Sequence, residues 1–204
     1  MLTSRLRPKL ALMAGLFLLS LLPILTGCRT VGIISGGESD RGPVNSLTVL
    51  PSSAVVVAER STVISYQPDG TVGWRFTLPE DEVIAAAPVA ALSSVTYVRG
   101  EQTLFAIAPD GVALWQSRHS GAGDAVRGIT PLGDSTVAIT QGDRSLVAFS
   151  DQGRVRWTYE LPGGETITAA PTLAPSSLIY VRSNSHLYAV DATGNLAWKM
   201  EIQP

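Results

Sequence analysis

The sequence predicts an all-β protein made of four repeated units, each built from four short antiparallel strands. The four tryptophans of the chain are evenly spaced, with intervals of 41, 42 and 41 residues between Trp74, Trp115, Trp157 and Trp198. Apolar residues within each unit alternate with a period of two, which is typical of strands, and not with the 3.6-residue period of helices. Gly, Asp and Pro close these runs, as in hairpin turns.

Further anchors precede each tryptophan and fix the alignment of the four units. A glycine stands four residues before every tryptophan, namely at Gly70, Gly111, Gly153 and Gly194. An aliphatic residue stands seven residues before each glycine, and an aspartate lies one to three residues before it. Asp and Gly together favour a tight turn, because Gly accepts positive φ and Asp bonds its own backbone.

The fourth unit illustrates the four strands that we expect in each repeat. Its runs are "TITAAPTLA", "SSLIYVRS", "SHLYAVDA" and "GNLAWKME". Four antiparallel strands in roughly 40 residues are typical of one propeller blade. The density of Gly and Pro, and the lack of a long 3.6-period segment after the N-terminus, exclude helical repeats of similar length.

A second period of 83 residues indicates that the chain is a duplicated pair of units. Of the 42 positions from the first tryptophan to the second, 18 are identical in the segment from the third to the fourth. The duplication places Arg99 and Arg182 at equivalent ends of a second strand. We interpret them as inherited surface residues, and a paired contact site for an anionic ligand is the alternative hypothesis.

The motif around the last tryptophan resembles a known repeat. Ala189-Val-Asp-Ala-Thr-Gly-Asn-Leu-Ala-Trp198 is similar to the tryptophan-docking repeat of the quinoprotein (PQQ-like) β-propellers, Ala-x-Asp-x-x-Thr-Gly-x-x-x-Trp, with one residue fewer before the Thr. The other three copies keep Gly and Trp but lack the Thr. The resemblance covers residues 44–204 and implies four PQQ-like blades of four antiparallel strands each.

The same resemblance implies a structural role for the tryptophans. In such propellers the tryptophan of one blade docks on the small glycine turn of the adjacent blade. A buried aromatic side chain of this size removes about 150–250 Å² from water. We therefore interpret the four Trp and four Gly residues as docking residues and not as ligand-stacking residues.

Residues 1–27 have the layout of a bacterial lipoprotein signal peptide. Three cations precede an apolar run over residues 10–25, which is too short to span a bilayer comfortably. The run ends in Leu25-Thr-Gly-Cys28, which matches the lipobox, and Cys28 is the only cysteine. A lipid that is joined to the Cys28 thiol by a thioether and carries several acyl chains would anchor the protein stably. The alternative is an ordinary signal peptide with an incidental cysteine.

The remaining chain divides into a flexible tether, residues 28–43, and the propeller domain, residues 44–204. Removing residues 1–27 takes away three cations and no acid, which changes the formal net charge from −2 to −5. An acidic chain of this kind lacks the electrostatic footprint of a nucleic-acid-binding protein. Arg, and not Asp, follows the lipidated cysteine, which favours the periplasmic face of the outer membrane by the enterobacterial sorting rule.

The sequence offers few candidate residues for catalysis or for binding a metal or cofactor. Quinoprotein dehydrogenases close eight blades around PQQ and calcium, and many carry an adjacent cysteine pair, whereas this chain has four blades and one cysteine. Its two histidines, His119 and His186, lie far apart without acids at ligand spacing. We expect no catalytic residue, no metal and no cofactor.

We expect the protein to be a non-catalytic, protein-binding scaffold of the bacterial cell envelope. Its nearest functional resemblance is to the propeller lipoproteins of the outer-membrane β-barrel assembly machinery, whose blades contact other proteins. One alternative is an envelope sensor or carrier that binds a small anionic or glycan ligand. A further alternative is a truncated relative of a quinoprotein dehydrogenase.

Four blades are fewer than the resembled propellers use to close a ring. The angular step set by tryptophan docking in the resembled family suits rings of seven or eight blades, so four blades describe about half a circle. We therefore expect an open half-propeller arc, with apolar faces at both ends that mark an interface. Self-association or a partner protein would complete the ring, and a homodimer would give eight blades. The alternative is a compact ring in which the four blades close alone.

Overall fold

Four sheets of four antiparallel strands make up the described part of the chain in the computed structural model, residues 45–120, 126–133 and 135–202. Each sheet uses four strands that are consecutive in the sequence, and no helix occurs among these residues. The predicted four-blade, all-β architecture is confirmed. The predicted signal peptide, Cys28 and the tether lie outside the described residues.

The strands of the four blades have the following bounds. Blade 1 contains β1 (Ser46–Val49), β2 (Val55–Glu59), β3 (Thr62–Tyr66) and β4 (Val72–Thr77). Blade 2 contains β5 (Val89–Ala90), β6 (Thr96–Arg99), β7 (Thr103–Ile107) and β8 (Ala113–Arg118). Blade 3 contains β9 (Ile129–Leu132), β10 (Thr136–Gln141), β11 (Ser145–Phe149) and β12 (Val155–Glu160). Blade 4 contains β13 (Thr172–Leu173), β14 (Ile179–Arg182), β15 (His186–Val190) and β16 (Leu196–Glu201).

A bulge recurs at the same place in every blade, between the third and fourth strands. In blade 1 the register shifts between Ser65 and Tyr66, and Ser65 is the partner of Trp74. The three other blades repeat this pairing with Ala106–Trp115, Ala148–Trp157 and Ala189–Trp198. The glycine of each unit turns the chain between these strands at a φ of +74° to +88°, where a residue with a Cβ is strained. The sequence anchors therefore occupy equivalent three-dimensional positions.

The core lies between neighbouring sheets. Successive residues of a strand point to opposite faces, so Val98 packs toward blade 1 while Tyr97 packs toward blade 3. This arrangement explains why all of β6 is buried, whereas the equivalent strand β14 of blade 4 leaves Tyr180 half-buried and Arg182 exposed.

The described sheets form an open propeller arc, as predicted. The innermost strands contact each other in the order β1, β5, β9 and β13. Three apolar clusters fill the three junctions between consecutive blades, and none of the three joins residues of blade 1 to residues of blade 4. The outward face of blade 1 and that of blade 4 are therefore the two ends of the arc.

Candidate functional site

Three of the four tryptophans lie against the glycine turn of the following blade. A Cβ built on Gly111 would lie only 2.5 Å from the Cβ of Trp74, which is closer than real Cβ contacts come. The other two pairs, each with a shortest distance of 2.7 Å, are Gly153 with Trp115 and Gly194 with Trp157. Because only a residue without a side chain fits there, this geometry supports the docking role inferred from the sequence.

The fourth tryptophan and the first glycine lie at the two ends of the arc. Trp198 is 39 % exposed, whereas Trp74 is 7 % exposed. Nothing lies within 4 Å of a Cβ built on Gly70. Within the described residues, Trp198 therefore covers no glycine turn, and no tryptophan covers Gly70.

Arg99 and Arg182 occupy equivalent strand positions but different environments. Arg99 is 1 % exposed, and its Nη1 donates hydrogen bonds to the Gly128 carbonyl (3.0 Å) and the Thr140 hydroxyl (3.1 Å) of blade 3. Arg182 is exposed, and its Nη1 lies 3.4 Å from the Thr168 hydroxyl. The difference follows from position, because a further blade covers blade 2 and no further blade covers blade 4. The two guanidinium groups do not share one site, and the anionic contact site stays a prediction.

His119 is a buried histidine beside Arg99, at the end of blade 2. The side chain is 8 % exposed, and its backbone N–H donates a hydrogen bond to the Gln102 carbonyl (2.8 Å). Burial, and then the positive charge of Arg99, lower the pKa of His119 from 6.5 to about 4. The imidazole is therefore neutral in the folded protein at neutral pH.

Acidification is expected to destabilise the protein through His119. The unfolded chain protonates this imidazole as the pH falls below 6.5, but the folded protein does so only near pH 4. Because the unfolded state binds more protons within this window, stability falls as the pH falls through it. Urea unfolding at about pH 7 and pH 5 should show this loss, and a smaller loss for His119→Gln. Equal losses for the two proteins would contradict the assignment.

A carboxylate holds the turn between the second and third strands in blades 2 and 4. In blade 2 the Glu82 carboxylate accepts a hydrogen bond from the backbone N–H of Gln102 (3.2 Å). In blade 4 the equivalent Glu165 accepts a hydrogen bond from the Ser183 hydroxyl and lies 2.8 Å from Nδ1 of His186. Burial acts to raise the pKa of Glu165, but the hydrogen bond from Ser183, the nearby His186 and other neighbouring polar groups together outweigh burial and lower it. The carboxylate thus stays ionised while it holds the turn.

The serine, histidine and glutamate of this blade 4 cluster do not have the geometry of a catalytic triad. The Ser185 hydroxyl lies 3.0 Å from Nδ1 of His186, the same ring nitrogen that faces Glu165. In a triad the nucleophile and the acid contact opposite ring nitrogens. Sequence reasoning missed the role of Glu82 and Glu165, although their identity across the 83-residue duplication was an available signal.

Exposed aliphatic side chains recur on the outermost strands of all four blades. These strands, β4, β8, β12 and β16, are terminal in their sheets. We define the outer rim as the exposed aliphatic residues Val72, Leu114, Val155 and Leu196. Exposed apolar groups that recur on the outermost strand of each blade can form an extended contact surface for another protein.

Two further observations concern the described residues alone. No group of three or more His, Cys, Asp or Glu side chains converges there as a metal-binding cluster. Their secondary structure includes no helix with the length and apolar character needed to cross a membrane.

The model of the family described as outer membrane protein assembly factor BamB matches residues 100–204, just over half of the chain. BamB from Moraxella catarrhalis is structurally similar, with a TM-score of 0.61 and 23% identity over 78% of this chain and 54% of that chain. A search of curated proteins gives no match.

Two lyases have a similar fold. A streptogramin B lyase has a TM-score of 0.64 and 17% identity, over 78% of this chain and 54% of that chain. The virginiamycin B lyase from Staphylococcus aureus has a TM-score of 0.63 and 16% identity, over 78% of this chain and 55% of that chain.

The chain spans about half the length of these solved propellers. At such identities the structural likeness establishes the fold alone, and the fold serves both BamB and enzymes. The family model is more specific, since it matches residues 100–204, which contain three of the four repeated pairs of glycine and tryptophan. The chain therefore belongs to the family of outer membrane protein assembly factor BamB.

Proposed function

We propose that the protein is a lipid-anchored scaffold of the bacterial cell envelope, which binds other proteins through its blades and takes part in outer-membrane protein assembly. The observation that carries the proposal is the match of residues 100–204 to the BamB family. The proposed scaffold is non-catalytic and needs no cofactor. Its proposed location is the periplasmic face of the outer membrane.

The shape of the described surface supports protein binding. The outer rim repeats exposed aliphatic side chains from blade to blade, so a partner could contact several blades at once. Exposed cations, Arg75, Arg156 and Lys199, stand on three of the outermost strands. Charged residues at sheet edges disfavour addition of a foreign strand, so we expect binding through side chains and not through strand pairing.

Affinity purification from solubilised envelopes tests the proposed partner class. The tagged wild-type protein should retain outer-membrane β-barrel proteins or their assembly factors. The double variant Leu114→Ser with Val155→Ser should lose them, because it makes the middle of the outer rim polar. Leu92→Ser is the matched control, since Leu92 is exposed but lies outside the outermost strands. Recovery of no envelope protein, or equal recovery with the rim variant, would refute the scaffold.

Lipidation of Cys28 is the proposed means of anchoring. Mass spectrometry of the protein extracted from membranes should show a chain that begins at a lipid-modified Cys28. The Cys28→Ala variant should leave the membrane fraction, because it lacks the thiol that accepts the lipid. Cleavage elsewhere, or an unchanged distribution of the variant, would contradict this prediction.

A further inference from the structure

We propose that the open face of blade 4 is a docking surface for blade 1 of a second copy of this chain, so that two arcs close one ring of eight blades. Blade 4 exposes groups whose counterparts within the arc bind the next blade. Blade 1 exposes the complementary features. This inference is independent of the lipid anchor and of any envelope partner.

The junction between blades 2 and 3 provides the template for this interface. The Tyr97 hydroxyl donates a hydrogen bond to the Ser135 carbonyl of blade 3 (2.8 Å). Arg99 donates two hydrogen bonds to blade 3, and the ring of Trp115 covers Gly153 there. Blade 2 thus uses a tyrosine, an arginine and a tryptophan to bind the next blade.

Blade 4 presents the same three side chains, displaced by 83 residues. They are Tyr180, Arg182 and Trp198, of which Arg182 and Trp198 are exposed. The rings of Tyr180 and Trp198 lie 5.6 Å apart at 47°, close to the 6.0 Å and 44° of Tyr97 and Trp115. The aromatic part of the docking surface is therefore already arranged as it is at the occupied junction.

A threonine of the innermost strand adds a fourth group to this surface. Thr48 of blade 1 donates a hydrogen bond to the Pro88 carbonyl of blade 2 (2.6 Å). Thr130 of blade 3 donates the same bond to the Pro171 carbonyl of blade 4 (2.6 Å). Thr172 has the equivalent position in blade 4, where its side chain is exposed. The hydroxyl group is available for the carbonyl of a further blade.

Blade 1 carries features that match these groups. Gly70 has a φ of +84° and open space above it, as required to receive Trp198. Ser53 has a φ of +67°, close to the +62° of Ser135, so its carbonyl is placed like the acceptor of Tyr97. Ala58 is the counterpart of Thr140 and lacks the hydroxyl, so Arg182 would keep only the bond to a backbone carbonyl. Exposed Leu47 on β1 adds apolar area to the same end.

A second copy is the occupant that satisfies both ends of the arc at once. With a two-fold axis, blade 4 of each chain would dock on blade 1 of the other, giving two identical interfaces. Blade 1 of a second copy offers the open glycine turn that Trp198 requires, and blade 4 of that copy offers its own Trp198 to Gly70 in return. The exposed ends of a repeat array need such protection from water.

A substitution at Gly70 tests the proposal without disturbing the single chain. Asparagine tolerates positive φ, and its Cβ would meet nothing within 4 Å in the isolated arc. In the proposed dimer the same Cβ would clash with Trp198, as a Cβ at Gly111 would clash with Trp74. Gly142→Asn is the matched control, since Gly142 also has positive φ and open space but lies in blade 3.

Native mass spectrometry of the full protein, extracted from cells in mild detergent, counts the chains in each particle. We expect two chains for the wild type and for Gly142→Asn, and one chain for Gly70→Asn with an unchanged circular dichroism spectrum. A wild-type particle with any other number of chains, or a Gly70→Asn particle that still holds two, would overturn the proposal.

A photo-crosslinking residue in place of Trp198 identifies the occupant directly. The expected adduct joins two copies of the chain, with the crosslinked peptide lying around Gly70. An adduct with a different protein, or no adduct at all, would overturn the second copy as the occupant.

Discussion

Replacing Trp115 with alanine is expected to lower the free energy of unfolding by about 3–5 kcal/mol. The indole lies between blades, against the turn of Gly153 and beside the rings of Tyr97 (6.0 Å) and Phe149 (6.5 Å). The indole is half-buried, and its removal takes away the apolar contacts that it makes with Gly153, Tyr97 and Phe149. The loss is large against the roughly 5–15 kcal/mol of total stability typical of a protein domain.

Trp198→Ala is the matched control for this measurement, because it removes the same side chain where no further blade lies within the arc. Urea denaturation at concentrations where the chain is monomeric should give a clearly smaller loss for Trp198→Ala than for Trp115→Ala. Equal losses at the two positions, or no loss at Trp115, would contradict a docking role for the internal tryptophan.

Replacing Gly111 with alanine is the second change with a large expected effect. The φ of +88° costs an alanine about 1–2 kcal/mol, because its Cβ approaches the backbone. Crowding of the new Cβ against Trp74, at 2.5 Å before any relaxation, adds about 1–3 kcal/mol. Thermal and urea unfolding should both report the loss.

Gly70→Ala separates these two contributions in a single comparison. Gly70 has nearly the same φ, +84°, but its Cβ would meet nothing within 4 Å. In urea unfolding at concentrations where the chain is monomeric, we expect Gly70→Ala to lose only the part that comes from backbone strain. If the two alanine variants lost equal stability, the close approach of Trp74 would have no energetic consequence.

The blade architecture could be predicted because the signals that specify it are local. Each turn needs a glycine of positive φ, and each fourth strand carries a tryptophan four residues later, so the spacing repeats with the structure. The open arc was predicted from the resemblance to the PQQ-like propellers, because tryptophan docking in that family favours rings of seven or eight blades and this sequence shows four units.

The surroundings of Arg99 and Arg182 could not be predicted in this way. The two arginines follow nearly identical runs, "TYVR" and "IYVR", so no local pattern distinguishes them. Arg99 is buried because blade 3 covers it, whereas Arg182 stands at the end of the arc. The burial of His119 beside Arg99 depends on the same packing between blades. Such features follow from the position of a blade in the array, and not from its own sequence.

The family could be predicted from local sequence patterns, whereas the surface that binds a partner could not. The repeat motif indicates the propeller, and the family match over residues 100–204 identifies the BamB family. The partner surface depends on which blade faces remain exposed in the assembled protein. The outer rim and the open face of blade 4 are the two exposed surfaces that we propose for binding.

A double-mutant cycle between Trp115 and Gly153 tests most directly whether docking of one blade on the next holds the arc together. Urea unfolding of the wild type, Trp115→Ala, Gly153→Ala and the double variant gives the coupling free energy between the two positions. We predict that Gly153→Ala costs less when Trp115 is already alanine, with a coupling of about 1 kcal/mol or more. The reason is that the three atoms nearest to the Cβ built on Gly153, at 2.7–3.1 Å, all belong to the indole of Trp115 and are then absent. Strictly additive losses would contradict tryptophan docking as the contact that joins the blades.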